Sequence, residues 1–183
     1  MSISSNMQRQ TGFSKESKRS PGDFYITPDN AIIALLDREK FKGVGWEPAC
    51  GNGAITKFFP RILASDISND KHIKGRKGVD FLLSSKKVDY IVTNPPFKLL
   101  LPFMEKSMDV AKSKVALFAR LQALEGKKRY EFFQKYPPIR VYIFSNRVSC
   151  STLLGDSANI LCFAWYVWEI GFKGRPTLDW IMC

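Results

Sequence analysis

Short apolar runs that alternate with amphipathic stretches constrain this chain more than any other feature of it. The runs fall at Val44–Pro48, Arg61–Ser65, Gly78–Leu82, Val88–Thr93, Val115–Ala119, Arg140–Phe144 and Ile160–Trp168. Between them, apolar residues recur at helical spacing in the stretch after Thr27-Pro28, in Ala54–Phe59, in Lys98–Ala111 and in Gly126–Tyr136. In Thr27-Pro28-Asp29-Asn30 a capping residue followed by proline marks a helix start. Strand alternating with helix predicts a mostly parallel sheet of seven strands with helices on both faces. Tyr90-Ile91-Val92 is continuously apolar, as a strand buried on both sides requires.

The length of 183 residues suits one domain. Residues 1–22 are polar and basic and read as a flexible arm; 23–183 read as a single folded domain. Four cysteines without paired spacing do not make a disulfide framework. With one histidine, His72, and no Cys-x-x-Cys, the usual ligands of a structural zinc are missing, so no metal is expected. The longest apolar run is nine residues, half of what a membrane helix needs. The first twenty residues hold no apolar segment of the secretory kind, which makes a cytoplasmic location the expectation. Lys and Arg number 28 against 17 Asp and Glu, a net charge of +11 spread over both halves of the chain. That balance favours a polyanionic partner, nucleic acid first.

In an open parallel sheet, ligands bind at the carboxyl ends of the strands. The first strand runs into Glu47-Pro48-Ala49-Cys50-Gly51-Asn52-Gly53. Two glycines one residue apart make a tight turn whose backbone a ligand can approach closely. Thr56 stands where a dinucleotide fingerprint needs its third glycine, which makes a dinucleotide turn the weaker reading; no Gly-Lys-Ser/Thr follows, so a phosphate loop does not fit. The next strand ends at Asp66, an acceptor suited to a ribose diol, and the third at Asp80-Phe81. The fourth ends in Asn94-Pro95-Pro96-Phe97. Two prolines hold the backbone extended and remove amide donors, leaving an amide oxygen, a carbonyl and a ring face together. That set grips a planar amine.

In their order these motifs resemble the class I S-adenosylmethionine-dependent methyltransferases, whose fold is a Rossmann-like α/β sheet. The Asn-Pro-Pro-Phe form resembles the N6-adenine DNA methyltransferases, and the small basic chain resembles their compact phage and prophage forms. The resemblance covers about residues 23–170 and includes Phe24-Tyr25-Ile26-Thr27-Pro28 before the first strand. It implies that Glu47, Cys50, Gly51 and Gly53 hold the methionine end of S-adenosylmethionine, with Thr27 nearby, and that Tyr25 also binds the cofactor. Asp66 would take the ribose, and Asp80 with Phe81 the adenine. Asn94, Pro95, Pro96 and Phe97 would be the catalytic segment: Asn94 and the Pro95 carbonyl on the target amine, Phe97 stacked on a flipped base.

The implied reaction is methyl transfer to the N6 amine of adenine in DNA. Asn at position 94 is equally typical of enzymes that methylate ribosomal RNA or a protein glutamine, and a catalytically inactive nucleic-acid-binding relative is a further alternative. Lys127, Lys128, Arg129 and Arg147 are candidates for phosphate contact, although the Lys-Lys-Arg run also reads as a solvated helix face. The last strand is expected to end near Trp168, and Ser145–Asn159 is the only sizeable insert on the binding side. Without a separate target-recognition domain, few side chains reach base edges, so sequence preference is expected to be short or relaxed.

Overall fold

The computed structural model describes residues 25–148, 151–152, 155–156 and 162–183. The expected arm at 1–22 lies outside them, as do residues 149–150, 153–154 and 157–159 of the insert at 145–159. The elements in chain order are β1 (Tyr25–Ile26), α1 (Asp29–Arg38), β2 (Gly45–Glu47), β3 (Ile62–Ala64), β4 (Val88–Thr93), α2 (Leu100–Val110) and β5 (Ala111–Arg120). There follow α3 (Lys127–Lys135), β6 (Arg140–Phe144), β7 (Ser151–Thr152), β8 (Gly155–Asp156), β9 (Phe163–Glu169) and β10 (Thr177–Ile181).

Seven strands form the main sheet in the order β10-β6-β9-β5-β4-β2-β3. All neighbours are parallel except β9, which runs antiparallel to both β5 and β6. A small second sheet, β1-β7-β8, joins the described part of the insert to the strand that precedes Thr27. Helix α1 covers one face of the main sheet, where Ile32 and Leu35 meet Phe118, Tyr142 and Trp165. The opposite face packs Trp46, Ile91, Tyr166 and Trp168 against Phe103 and Met104 of α2 and Phe132 of α3. Each of these side chains stabilises the fold by about 1.5–3 kcal/mol through the apolar surface it removes from water. This is the Rossmann-like architecture that the alternating pattern predicts.

The seventh strand is not the expected one. Gly78–Leu82 forms no strand: Gly78 takes a left-handed backbone with φ 66°, and the Asp80 carboxylate accepts from the Leu82 amide to cap a single 3-10 turn at Phe81–Leu83. Both features divert the backbone from a ladder, and only an isolated bridge between Ser65 and Arg76 remains there. The strand count is completed at the other edge by β10, beyond the expected last strand. Its pattern is obscured because Leu178 and Trp180 face solvent and Ile181 alone is buried. The expected helix at Ala54–Phe59 is likewise a 3-10 turn, Thr56–Phe58, confined between Gly53 and Pro60.

At the amino ends of the strands, buried Glu39 accepts from Arg140, Lys114 and Tyr142 and ties α1 to β5 and β6. Burial disfavours its ionised form, but the three donors outweigh burial and hold the carboxyl below its ordinary range.

Candidate active site

After β2 the chain pairs β3 on one side, then crosses back to place β4 on the other. The crevice above β2 and β4 is thus the switch point of the sheet, where open α/β folds take their ligands. The glycine turn leaves from β2 and the Asn-Pro-Pro-Phe segment from β4, so the two motifs occupy neighbouring strand ends.

The turn is a stitched unit. Gly51 and Gly53 both take left-handed conformations, with φ 49° and 79°. The Gly53 amide donates to the Cys50 carbonyl at 2.8 Å, and the Lys74 amide donates to the Gly51 carbonyl at 2.8 Å. Asp66 is buried and joins the turn to the following loop: one carboxylate oxygen accepts from the Gly51 amide at 3.0 Å, the other from the Ser68 amide at 2.9 Å. A carboxylate offers about four lone-pair sites, so these two bonds do not exhaust it.

Glu47 ends β2 with a side chain only 2 % exposed. Its carboxylate accepts from the Thr56 hydroxyl. Among the described residues no cation pairs with it. Burial pushes its carboxyl up to about 8, against the opposing hydrogen bonds from Thr56, and nearby Asp66 adds to the rise. A buried carboxyl without a counter-ion favours a cationic ligand. Burial, reinforced by Glu47 and Asp66, also pushes the Cys50 thiol up to about 12, so it stays protonated at neutral pH. Thiolate nucleophilic chemistry at Cys50 is thereby disfavoured.

Thr27 does not cap α1 as its spacing suggests. Pro28 occupies the cap position, and the Thr27 hydroxyl accepts instead from Nδ2 of Asn94 at 3.1 Å. This contact joins the entry to α1 to the end of β4 and turns the amide oxygen of Asn94 to the opposite edge of its amide plane. Pro95 is buried and Pro96 exposed. The Pro96 carbonyl accepts from the Leu99 amide at 2.9 Å, which closes a 3-10 turn at Phe97–Leu99. Phe97 is half-buried, 6.3 Å from the ring of Phe163, with the guanidinium carbon of Arg120 3.9 Å above its own ring centre.

The structure gives several other expected site residues contacts or positions of their own. Phe81 is buried between Trp46 and Phe103, with ring centres 5.1 and 5.0 Å away, so its ring belongs to the core beneath Asp80. Tyr25 enters as a backbone position paired with Thr152. Arg129 donates to the carbonyls of Ala123 and Gln122 at 2.9 and 3.3 Å, which makes it a clamp on the turn at Leu121–Leu124. Lys127 and Lys128 are exposed at the start of α3, shortly after the carboxyl end of β5, and Arg147 is exposed after β6. No group of His, Cys, Asp and Glu among the described residues is suited to hold a metal. No helix among them is long and apolar enough to cross a membrane.

Sequence reasoning passed over Thr56 and Arg120. From spacing alone, Thr56 reads only as a missing glycine. Arg120 is the last residue of β5, and the strand-end rule applied to β2 and β4 reaches it as well.

No family model matches the chain, and no curated protein matches its sequence. Solved structures do match its fold. A candidate RNA methyltransferase from Pyrococcus horikoshii superposes with a TM-score of 0.58 at 15% identity, over 85% of this chain and 92% of that one. The modification subunit of a candidate type I restriction enzyme from Vibrio vulnificus gives 0.58 at 12%, over 87% of this chain and 47% of that one. The M protein of the type I restriction enzyme EcoKI gives 0.53 at 16%, over 82% and 44%. The chain spans about half the length of these two subunits. At such identities the likeness is one of fold.

Proposed function

We propose that this chain is an S-adenosylmethionine-dependent methyltransferase that acts on the N6 amine of adenine in DNA. The observation that carries the reading is the adjacency of two motifs at the switch point: a glycine turn backed by a buried, cation-deficient Glu47, and Asn94 held by Thr27. The methyltransferase names of the fold relatives support methyl transfer, and the two restriction-modification proteins among them support DNA. The net charge of +11 agrees with a nucleic-acid substrate.

The residues fit the cofactor. Glu47 and the Cys50–Gly53 turn would hold its cationic methionine end, Asp66 the ribose and Asp80 the adenine, with Thr27 beside them. When bound, the cofactor supplies a methyl group already activated on a sulfonium. The chain's task is then placement and the tuning of a poor nucleophile, since the adenine amine delocalises its lone pair into the ring. The Asn94 amide oxygen and the Pro95 carbonyl accept the two amine hydrogens, which draws the nitrogen toward a tetrahedral shape and frees that pair. Placement at roughly 3–3.5 Å in line supplies most of the rest. Phe97 stacks on the extruded base and offsets part of the few kcal/mol that extrusion costs. Exposed Lys127, Lys128 and Arg147 approach phosphates. On this reading, sequence preference is short or relaxed and the reaction takes place in the cytoplasm.

One observation favours a second substrate: the fold relative with the greater mutual coverage is the candidate RNA methyltransferase. Methyl transfer from labelled cofactor to DNA, ribosomal RNA and protein separates the readings. Label in N6-methyladenine of DNA supports the proposal, and label confined to RNA or to a glutamine side chain contradicts it.

A further inference from the structure

Arg120 closes β5 on the same crevice as Asn94. Its backbone is fixed: its Cα pairs in register with Phe163, and its carbonyl accepts from the Tyr166 hydroxyl at 3.1 Å. Beneath it lies a column of rings. Phe118 stacks on Phe163 with centres 4.8 Å apart and planes 5° apart, and Phe163 leads on to Phe97. The Arg120 guanidinium rests on the Phe97 ring, 3.9 Å from its centre. A planar target that stacks on that face meets the guanidinium first.

We propose that Arg120 is a substrate-positioning residue that cedes the Phe97 ring to an incoming base and takes up the phosphodiester beside that base. The inference rests on the reading that a nucleic-acid target enters this crevice. A cation over a partly exposed ring is a modest attraction, exchangeable for another planar group. A base offers the ring an equivalent stack, and its flanking phosphate offers the guanidinium a two-pronged, charge-assisted partner. A glutamine side chain offers the arginine neither. The exchange therefore selects a nucleotide within a strand over a free base or a protein amide. It needs no movement of β5, whose backbone at Arg120 is anchored through Phe163 and Tyr166.

The test measures binding, not methylation. A fluorescent single-stranded 12-mer with one adenine is titrated by anisotropy at several salt concentrations, against wild type, Arg120→Gln and Arg120→Lys, with thermal melting of each variant as the check on folding. One lost phosphate contact lowers the slope of log affinity against log salt by about 0.7 on a single strand. That drop is expected for Arg120→Gln and not for Arg120→Lys, which keeps the charge. A neutral methylphosphonate placed next to the adenine should weaken wild-type binding about tenfold, as loss of a charge-assisted hydrogen bond does. It should leave Arg120→Gln unaffected. If Arg120→Gln fails to fold, the methylphosphonate series on wild type and Arg120→Lys decides alone. An unchanged slope in folded Arg120→Gln, or wild-type indifference to the methylphosphonate, overturns the proposal. Absence of methyladenine alongside the expected binding changes would overturn the proposed reaction and leave the role of Arg120 standing. Methyladenine alongside unchanged binding would do the reverse.

Discussion

The side-chain amide of Asn94 donates to the hydroxyl of Thr27 across 3.1 Å, joining residues 67 positions apart. Through this bond a residue ahead of the main sheet decides which edge of the Asn94 amide faces the crevice. Thr27→Val removes this acceptor and with it one restraint on the amide. Turnover is expected to fall about tenfold, the scale of one lost hydrogen bond. Thr27→Ser, which keeps a hydroxyl acceptor, should restore most of the rate. Asn94→Ala is expected to abolish transfer while cofactor binding, read by calorimetry, persists. Full activity in either Thr27→Val or Asn94→Ala would contradict the assignment of the amide.

Glu47 links stability and binding through pH. Its carboxyl is raised from 4.5 to about 8 in the folded chain, chiefly by burial. A group whose folded value lies above its unfolded value stabilises fully below the unfolded value and less as pH climbs through the folded one. The Glu47 contribution is therefore expected to fade between about pH 4.5 and pH 8. Glu47→Gln should remove that fading and raise the melting temperature at neutral pH, yet weaken the cationic cofactor. Binding of cofactor to wild type near pH 7 should release protons. Calorimetry in buffers of differing ionisation heat measures that release, and none would indicate that Glu47 does not face the cofactor.

Gly53 tests the turn. It takes φ +79°, and a Cβ there would stand 3.2 Å from Cβ of Lys74. Gly53→Ala is expected to cost about 1–2 kcal/mol of stability from the left-handed backbone alone. It should also weaken cofactor binding more than Asn94→Ala does, as thermal melting and calorimetry would show.

The basic run at the start of α3 divides in two. Lys127 and Lys128 are exposed, whereas Arg129 holds the carbonyls of Ala123 and Gln122. The double change Lys127→Glu and Lys128→Glu should weaken DNA binding and flatten its salt dependence while the melting temperature holds. Arg129→Ala should show the opposite pattern, with a loss of about 1 kcal/mol, typical of a lost intramolecular hydrogen bond. A binding defect without a stability defect in Arg129→Ala would return Arg129 to the phosphate-contacting set.

Where periodicity and burial coincide, the sequence is transparent. Arg140–Phe144 is found as read, and Val88–Thr93 likewise, because both strands lie within the sheet. Reading fails where a side chain satisfies local backbone or an edge strand faces water. Asp80 caps its own turn, Gly78 turns left-handed, and Trp180 at 64 % exposure hides a strand behind an outward apolar residue. At the crevice, motif order in the sequence located the strand ends. The partner of Thr27 and the ring beneath Arg120 depend on pairings across 67 and 23 residues, which no local spacing encodes.

The central claim is tested most directly by incubating the purified protein with S-adenosylmethionine and unmethylated plasmid DNA, then counting modified nucleosides by mass spectrometry. The account expects N6-methyladenine with wild type, at many sequence contexts, and none with Asn94→Ala. Unmodified adenine after incubation with wild type, while calorimetry shows the cofactor bound, would contradict it.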